Sequence, residues 1–162
     1  MKVTLAEAIK KVKRLNEEIN LLITLESKTS EVSYRTQEQM IPTSYDFWET
    51  RKAIREKGEE LIKIKHAINK ANNETPIGID DLTISDALIK STLINKEINY
   101  HLDPMSTKEK LSSSIDYRDG IIYTELLYSP KECAQYVAEQ KDLLYKIQIG
   151  IDRANMITEI EI

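Results

Sequence analysis

The chain has 162 residues, 41% apolar and 31% charged, with a formal net charge of -4 and both signs interspersed along its length. That is enough chain for one domain with one core, and the mild, mixed charge excludes a block built for nucleic acid or an anionic membrane. A lone cysteine, Cys133, excludes an intrachain disulfide and a Cys-rich zinc site, while two histidines in different segments, His66 and His101, leave metal chemistry poorly supplied. Apolar runs of a few residues fall far short of the roughly 20 needed to span a bilayer, and the N-terminus lacks the apolar core of a signal peptide. A cytoplasmic protein is expected.

Thr4-Leu5-Ala6-Glu7 spells a capping box, in which the Thr4 hydroxyl and the Glu7 carboxylate each satisfy an orphan backbone N–H. A helix is predicted from there to about Glu26, with Leu5, Ile9, Val12, Leu15, Ile19 and Leu22 repeating at intervals of three and four. From Ser27 to Thr43 the periodicity gives way to Ser, Thr, Gln and Glu, which predicts a long loop with room for a short strand at Val32 to Arg35. Thr43 and Ser44 are the expected caps of a second helix, whose stripe runs through Phe47, Ile54, Gly58, Leu61, Ile62, Lys65 and Ile68 to an end in Asn69 to Asn73. Glycine inside a helix costs up to about 1 kcal/mol, so Gly58 is expected to mark a close helix crossing. Thr75 to Ile79 reads as a short extended connector.

Thr83 with Asp86 caps a third helix, running through Ala87, Leu88, Leu93 or Ile94 and Ile98 and stopping before Asp103-Pro104. After a polar stretch, Ile115 to Arg118 and Ile121 to Thr124 flank Asp119-Gly120, a strong hairpin signal because both residues tolerate positive φ. The small ribbon expected near residues 115–124 is marginal alone, so it must lean on helices or on a ribbon from another subunit. Ser129-Pro130 starts a fourth helix with the stripe Cys133, Val137, Gln140, Leu144, Ile147 and Ile151, widened by Leu143 and Ala154. The alternating tail Met156 to Ile162 either adds an edge strand or extends that helix. The fold class is therefore mainly α, one antiparallel bundle of about four long helices with a small β-hairpin, forming a single domain over 1–162.

The run Ala67-Ile68-Asn69-Lys70-Ala71-Asn72-Asn73-Glu74-Thr75, followed by Leu82 to Leu88, resembles the "IN-x-x-N…T…L-x-D-A-L" pattern of the septicolysin-like family of small bacterial proteins. Leu143 to Ile160, with Ile147-Gln148 and Asn155 to Ile160, is similar to that family's closing "LD-x-x-IQ-x-x-NW-x-T-E-L", with Met156 where Trp is common. The resemblance covers most of the chain in order, and it implies a helical fold of poorly defined biochemical role. A toxin-like activity is suggested by the family's name alone.

Three constellations carry candidate chemistry. Asn69, Asn72 and Asn155 offer amide donors and acceptors to a polar ligand, or else cap helix ends and form turns. Tyr34, Arg35, Trp48, Arg51 and Arg55 set guanidinium groups beside aromatic faces, as a base or phosphate requires and as an oligomer interface also uses. Tyr117 and Arg118 stand at the hairpin, where Arg118 either clamps an anion, reaches a neighbouring subunit, or is solvated; Arg153 joins Asn155 near the last helix's end. No phosphate loop, nucleophile elbow or paired-His motif is present, and adjacent carboxylates such as Glu59-Glu60 point apart. These readings predict a non-enzymatic binding protein that holds or sequesters a small anionic, nucleotide-like ligand at a helix or subunit interface. The alternative is a structural, protein-interaction module that forms a homo-oligomer. No cofactor, metal, nucleic acid or membrane partner is expected.

Overall fold

A computed structural model describes residues 1–118 and 120–162. The order of elements is β1 (Lys2–Thr4), α1 (Leu5–Thr29), α2 (Phe47–Glu74), α3 (Ile84–Glu97), a π-helical turn (Ile98–Leu102), α4 (Asp103–Ser106), β2 (Leu111–Asp116), β3 (Gly120–Glu125), α5 (Pro130–Ile157) and β4 (Glu159–Glu161). The chain is thus mainly helical, with two small antiparallel strand pairs, β1 with β4 and β2 with β3. It divides into two compact units, one made of residues 1–74 and 155–162, the other of residues 75–154.

In the first unit the capping box forms as the sequence predicts: Thr4 Oγ1 accepts from Glu7 N at 3.2 Å and Glu7 Oε2 accepts from Thr4 N at 2.8 Å. α1 then packs antiparallel on α2, since Lys11, Glu18 and Glu26 of α1 pair in turn with Glu60, Lys57 and Arg51 of α2. Leu5, Ala8, Leu15, Ile64 and Ile68 are buried. The α2 stripe differs from the predicted one. Ile62 is exposed and Ile64 buried, because a position two residues away lies about 200° around a helix and only one of the two can face α1. The predicted loop is present, but Val32 to Arg35 forms no strand. The cap of α2 is Asp46, whose Oδ1 accepts from Glu49 N at 2.8 Å; Thr43 Oγ1 is instead spent on Thr29 O at 2.7 Å. The acidic tail resolves to a strand. β4 pairs with β1 in the register Lys2 to Glu161 and Val3 to Ile160, which sets unlike charges across the ladder, and Leu5 N donates to Thr158 O at 2.9 Å.

In the second unit Thr83 and Asp86 form the other capping box. Ile84, Ala87, Ile94 and Ile98 are buried along α3 and the turn after it, so Ile94, not Leu93, is the inward residue. Ile94 and Ile98 face Val137, Leu143 and Leu144 of an antiparallel α5 that begins at Ser129-Pro130 as expected. The helical path does not stop before Asp103-Pro104. Pro104 has no N–H for the carbonyl four residues back, and the ladder changes register, Asp103 N donating to Ile98 O, so that Pro104 falls in the first turn of α4. The hairpin is found too, and β2 begins at Leu111, inside the stretch read as polar, because Ser112 to Ser114 pair with Thr124, Tyr123 and Ile122. Asp119, expected in its turn, lies outside the described residues.

The two informative glycines are not interchangeable. A Cβ on Gly58 would meet nothing within 4 Å, so no close crossing exists there. Gly150 is the tight approach, since its Cβ would fall 2.9 Å from Ile77 O, the carbonyl of a loop held by Ile77 N to Leu82 O at 2.9 Å. Gly58→Ala should therefore raise the free energy of unfolding by up to about 1 kcal/mol, and Gly150→Ala should lower it by about 1–3 kcal/mol, both read from urea melts.

Both capping carboxyls are held below their ordinary pKa: Glu7 by the Thr4 backbone N–H and then its hydroxyl, Asp86 by the Thr83 hydroxyl and then its N–H. A depressed carboxyl stabilises the fold above its unfolded value, here 4.5 or 3.8, and loses that contribution as pH falls through the folded one. The melting temperature should drop on acidification below about pH 4.5, and by less in a Glu7→Gln, Asp86→Asn variant.

Candidate functional site

The face between α1 and α2 is charged where it leaves the core. Lys10, Lys11 and Arg14 project from successive turns of α1, since positions four apart share a helix face. Together with Lys57 from α2 they line an open cleft of about 460 Å³, floored by Leu15 and bounded by Glu18 and Glu60. Four cations against two carboxylates leave a surplus of two positive charges in a chain whose net charge is -4. Lys57 Nζ donates to Glu18 Oε2 at 2.6 Å, Arg14 Nε to Glu18 Oε1 at 2.7 Å, and Lys11 Nζ to Glu60 Oε1 at 2.8 Å. The Lys57 bond, and then the Arg14 bond, hold Glu18 below its ordinary pKa, so it stays ionised as their counter-charge. Lys10 makes no direct ion pair among the described residues, and acts only through space on Glu7. Two cations shared by one carboxylate and a third with none are a setting that an added anion relieves.

The residues expected to form the site fall in several places. Arg51 is spent internally: its Nη2 bonds Glu26 Oε2, whose other oxygen accepts from Tyr45 OH at 2.8 Å, and its Cζ lies 5.7 Å from the Phe47 ring centroid. Phe47 in turn meets Trp48 edge to face at 5.1 Å. Trp48 and Arg55 are exposed beside this group, and Tyr34 and Arg35 are exposed in the loop between α1 and α2. Asn69 and Asn72 lie within α2 rather than capping it. Arg51 and Asn72 stand near opposite ends of that helix, about 30 Å apart at a rise of about 1.5 Å per residue, so no small ligand touches both in one chain. In the second unit Tyr117 and Arg118 are exposed at the tip of the β2–β3 ribbon, and Arg153 is exposed on α5.

Three of the expected residues do share a property. Arg51 Nε, Asn72 Oδ1 and Asn155 Oδ1 are buried without a hydrogen-bond partner among the described residues. Asn72 and Asn155 both sit at the end of the first unit that β1 and β4 close, for α2 ends there and Asn155 precedes the Thr158 carbonyl bonded to Leu5 N. Two amide oxygens out of water each require a donor, which makes this end a second polar locus, about 18 Å along α2 from Glu60. The cleft cations were not singled out by sequence pattern. Their signal is present, in Lys10, Lys11 and Arg14 on adjoining turns, but an exposed basic face on an amphipathic helix reads as solvation until its neighbour across the groove is known.

Among the described residues no group of three or more His, Cys, Asp or Glu is placed to hold a metal ion, and no helix is long and apolar enough to cross a membrane. The tie between Arg51 and Glu26 is testable. Each of Arg51→Met and Glu26→Gln should destabilise by about 1–3 kcal/mol in thermal and urea melts, and the double variant by clearly less than the sum of the two.

No protein-family model matches the chain, and no curated protein matches it. Among solved structures it is similar to a functionally unknown conserved protein from Corynebacterium diphtheriae, with a TM-score of 0.63 and 19% identity over 99% of this chain and 100% of the other. At that identity the likeness shows the fold alone.

Proposed function

We propose that this is a cytoplasmic, non-enzymatic binding protein that retains a small anionic ligand in the cleft between α1 and α2. The observation that carries the reading is the surplus of cations there: Lys10, Lys11, Arg14 and Lys57 converge on a space bounded by only Glu18 and Glu60. Its volume of about 460 Å³ is within the range of small-molecule sites, roughly 300–1,000 Å³. A phosphate or pyrophosphate group fits the chemistry, because its oxygens accept from Arg14 in a fork and from ammonium groups as point charges. The cleft supplies positioning and charge, which are the means of holding a ligand. This moves the expected site from Trp48, Arg51 and Arg55 to the neighbouring stretch of the same helical pair. The resemblance to the septicolysin-like family fits the reading without specifying the ligand.

Self-association belongs to the same reading, supported by an apolar ribbon face that no helix among the described residues covers extensively. Calorimetric titration at low ionic strength should detect binding of inorganic pyrophosphate or a nucleoside diphosphate, weakening steeply with added salt. Lys10→Gln with Arg14→Gln should reduce affinity by about tenfold or more while shifting the melting temperature by only a few degrees. Heat traces that remain flat for every phosphate-bearing probe, or an unchanged affinity in the double variant, would remove the cleft from consideration. Native mass spectrometry of protein purified from cells provides an independent check through any retained mass.

A further inference from the structure

The β2–β3 ribbon has a sidedness that its exposure conceals. Alternation along the strands puts Leu111, Ser113 and Ile115 on one face with their cross-strand partners Glu125, Tyr123 and Ile121. The opposite face carries Ser112, Ser114, Thr124 and Ile122. The first face is apolar apart from Ser113 at its middle and Glu125 at its base, yet Leu111 is 58% exposed, Ile115 75%, Ile121 60% and Tyr123 68%. Among the described residues neither strand packs extensively on a helix, and a two-stranded ribbon alone in water is marginal.

We infer that this face is the contact through which two copies of the chain pair, ribbon on ribbon, related by a two-fold axis that crosses the strands at the level of Ser113 and Tyr123. An isologous contact of this kind needs a self-complementary surface, and the register supplies one. The axis sets Tyr123 against Tyr123 of the second copy and Leu111 over its Ile115. It also carries Glu125, at the base of one ribbon, to the tip of the other, where Arg118 is exposed and makes no side-chain ion pair among the described residues. The only charge on the apolar face is thereby matched by a cation of opposite sign, an arrangement a parallel pairing of ribbons would not give.

The area sets the strength. Six residues per strand and two strands make a face about 20 Å by 10 Å, and pairing two of them removes roughly 800 Å² of accessible surface. Tyr117 at the tip and Leu127 just past the base, both fully exposed, carry the total toward about 1,000 Å². That is the low end for a specific interface, so the dimer should form reversibly at micromolar concentration and not as an obligate pair. This inference deepens the self-association part of the proposed function, and it stands or fails independently of the anion cleft, since the test uses protein without added ligand.

Sedimentation velocity between about 1 and 100 µM should show a concentration-dependent monomer–dimer equilibrium for the full chain. Ile115→Thr with Tyr123→Thr, which keeps residues suited to strands, should raise the dissociation constant by at least about tenfold with helical circular dichroism unchanged. Arg118→Glu should weaken the dimer several-fold, and adding Glu125→Arg should restore it; this pair leaves the apolar face intact and decides the matter even if the threonine variant unfolds. A chain that stays monomeric throughout, or a dimer indifferent to the threonine substitutions, overturns the inference. Failure of the charge exchange to restore pairing overturns the antiparallel arrangement.

Discussion

The register of α1 on α2 is what the first unit depends on, and charge sets it as much as apolar contact does. The buried set between these helices is small, Leu5, Ala8 and Leu15 against Ile64 and Ile68, and Ile or Leu side chains tolerate sliding along a groove. Three ion pairs at successive levels do not. Lys11 with Glu60, Glu18 with Lys57 and Glu26 with Arg51 hold only when every turn of α1 faces its own turn of α2. The Glu18–Lys57 and Glu26–Arg51 pairs have side chains no more than 35% exposed, which gives them more weight than free surface pairs carry. The cleft is a by-product of this arrangement: once Glu18 has drawn in both Lys57 and Arg14, the remaining cations on α1 are left without enough carboxylate.

The ends of the helices are fixed by a different means. Thr4 with Glu7 and Thr83 with Asp86 start α1 and α3 by the same reciprocal pair of hydrogen bonds, while Asp46 and Ser129 serve α2 and α5 with a single side-chain acceptor. Start points defined to the residue matter for helices of this length, because a shift of one residue turns the whole stripe by about 100°. The loop of residues 75–83 gains its shape from backbone pairing and positive φ at Gly78, Asp80 and Asp81, and it is packed so near α5 that only glycine fits at position 150.

Elements with strong local chemistry were legible in the sequence: two capping boxes, the Ser-Pro start of α5 and its apolar stripe, and the hairpin. What the sequence hid is tertiary. Asp46 outcompeted Thr43 and Ser44 because Thr43 found the Thr29 carbonyl, a contact fourteen residues away in the chain. The π-helical turn answers to Pro104 acting on a ladder that continues beyond it, and a proline in a list of residues announces an end more readily than a change of register. β1 is three residues long and exists only because β4 returns to it. Of the expected site residues, Arg51, Asn72 and Asn155 are the ones with buried atoms unpartnered among the described residues, yet the separation of Arg51 from Asn72 could not be known until α2 proved to be a single unbroken helix. The cleft required knowing which residues oppose one another across α1 and α2.

The pairing of β1 with β4 bears on how the polypeptide matures during synthesis. The first unit is discontinuous, its last eight residues following the entire second unit, and Lys2 finds Glu161 only across nearly the whole chain. A continuous segment such as residues 75–154 can consolidate as it leaves the ribosome, whereas the α1–α2 pair emerges first and must wait with one end unsealed. Closing so long a loop carries little extra entropic cost compared with a shorter one, but it defers the step until β4 has been made. The α1–α2 pair is therefore completed only after the second unit has been made, and until then the edge of β1 has no strand beside it.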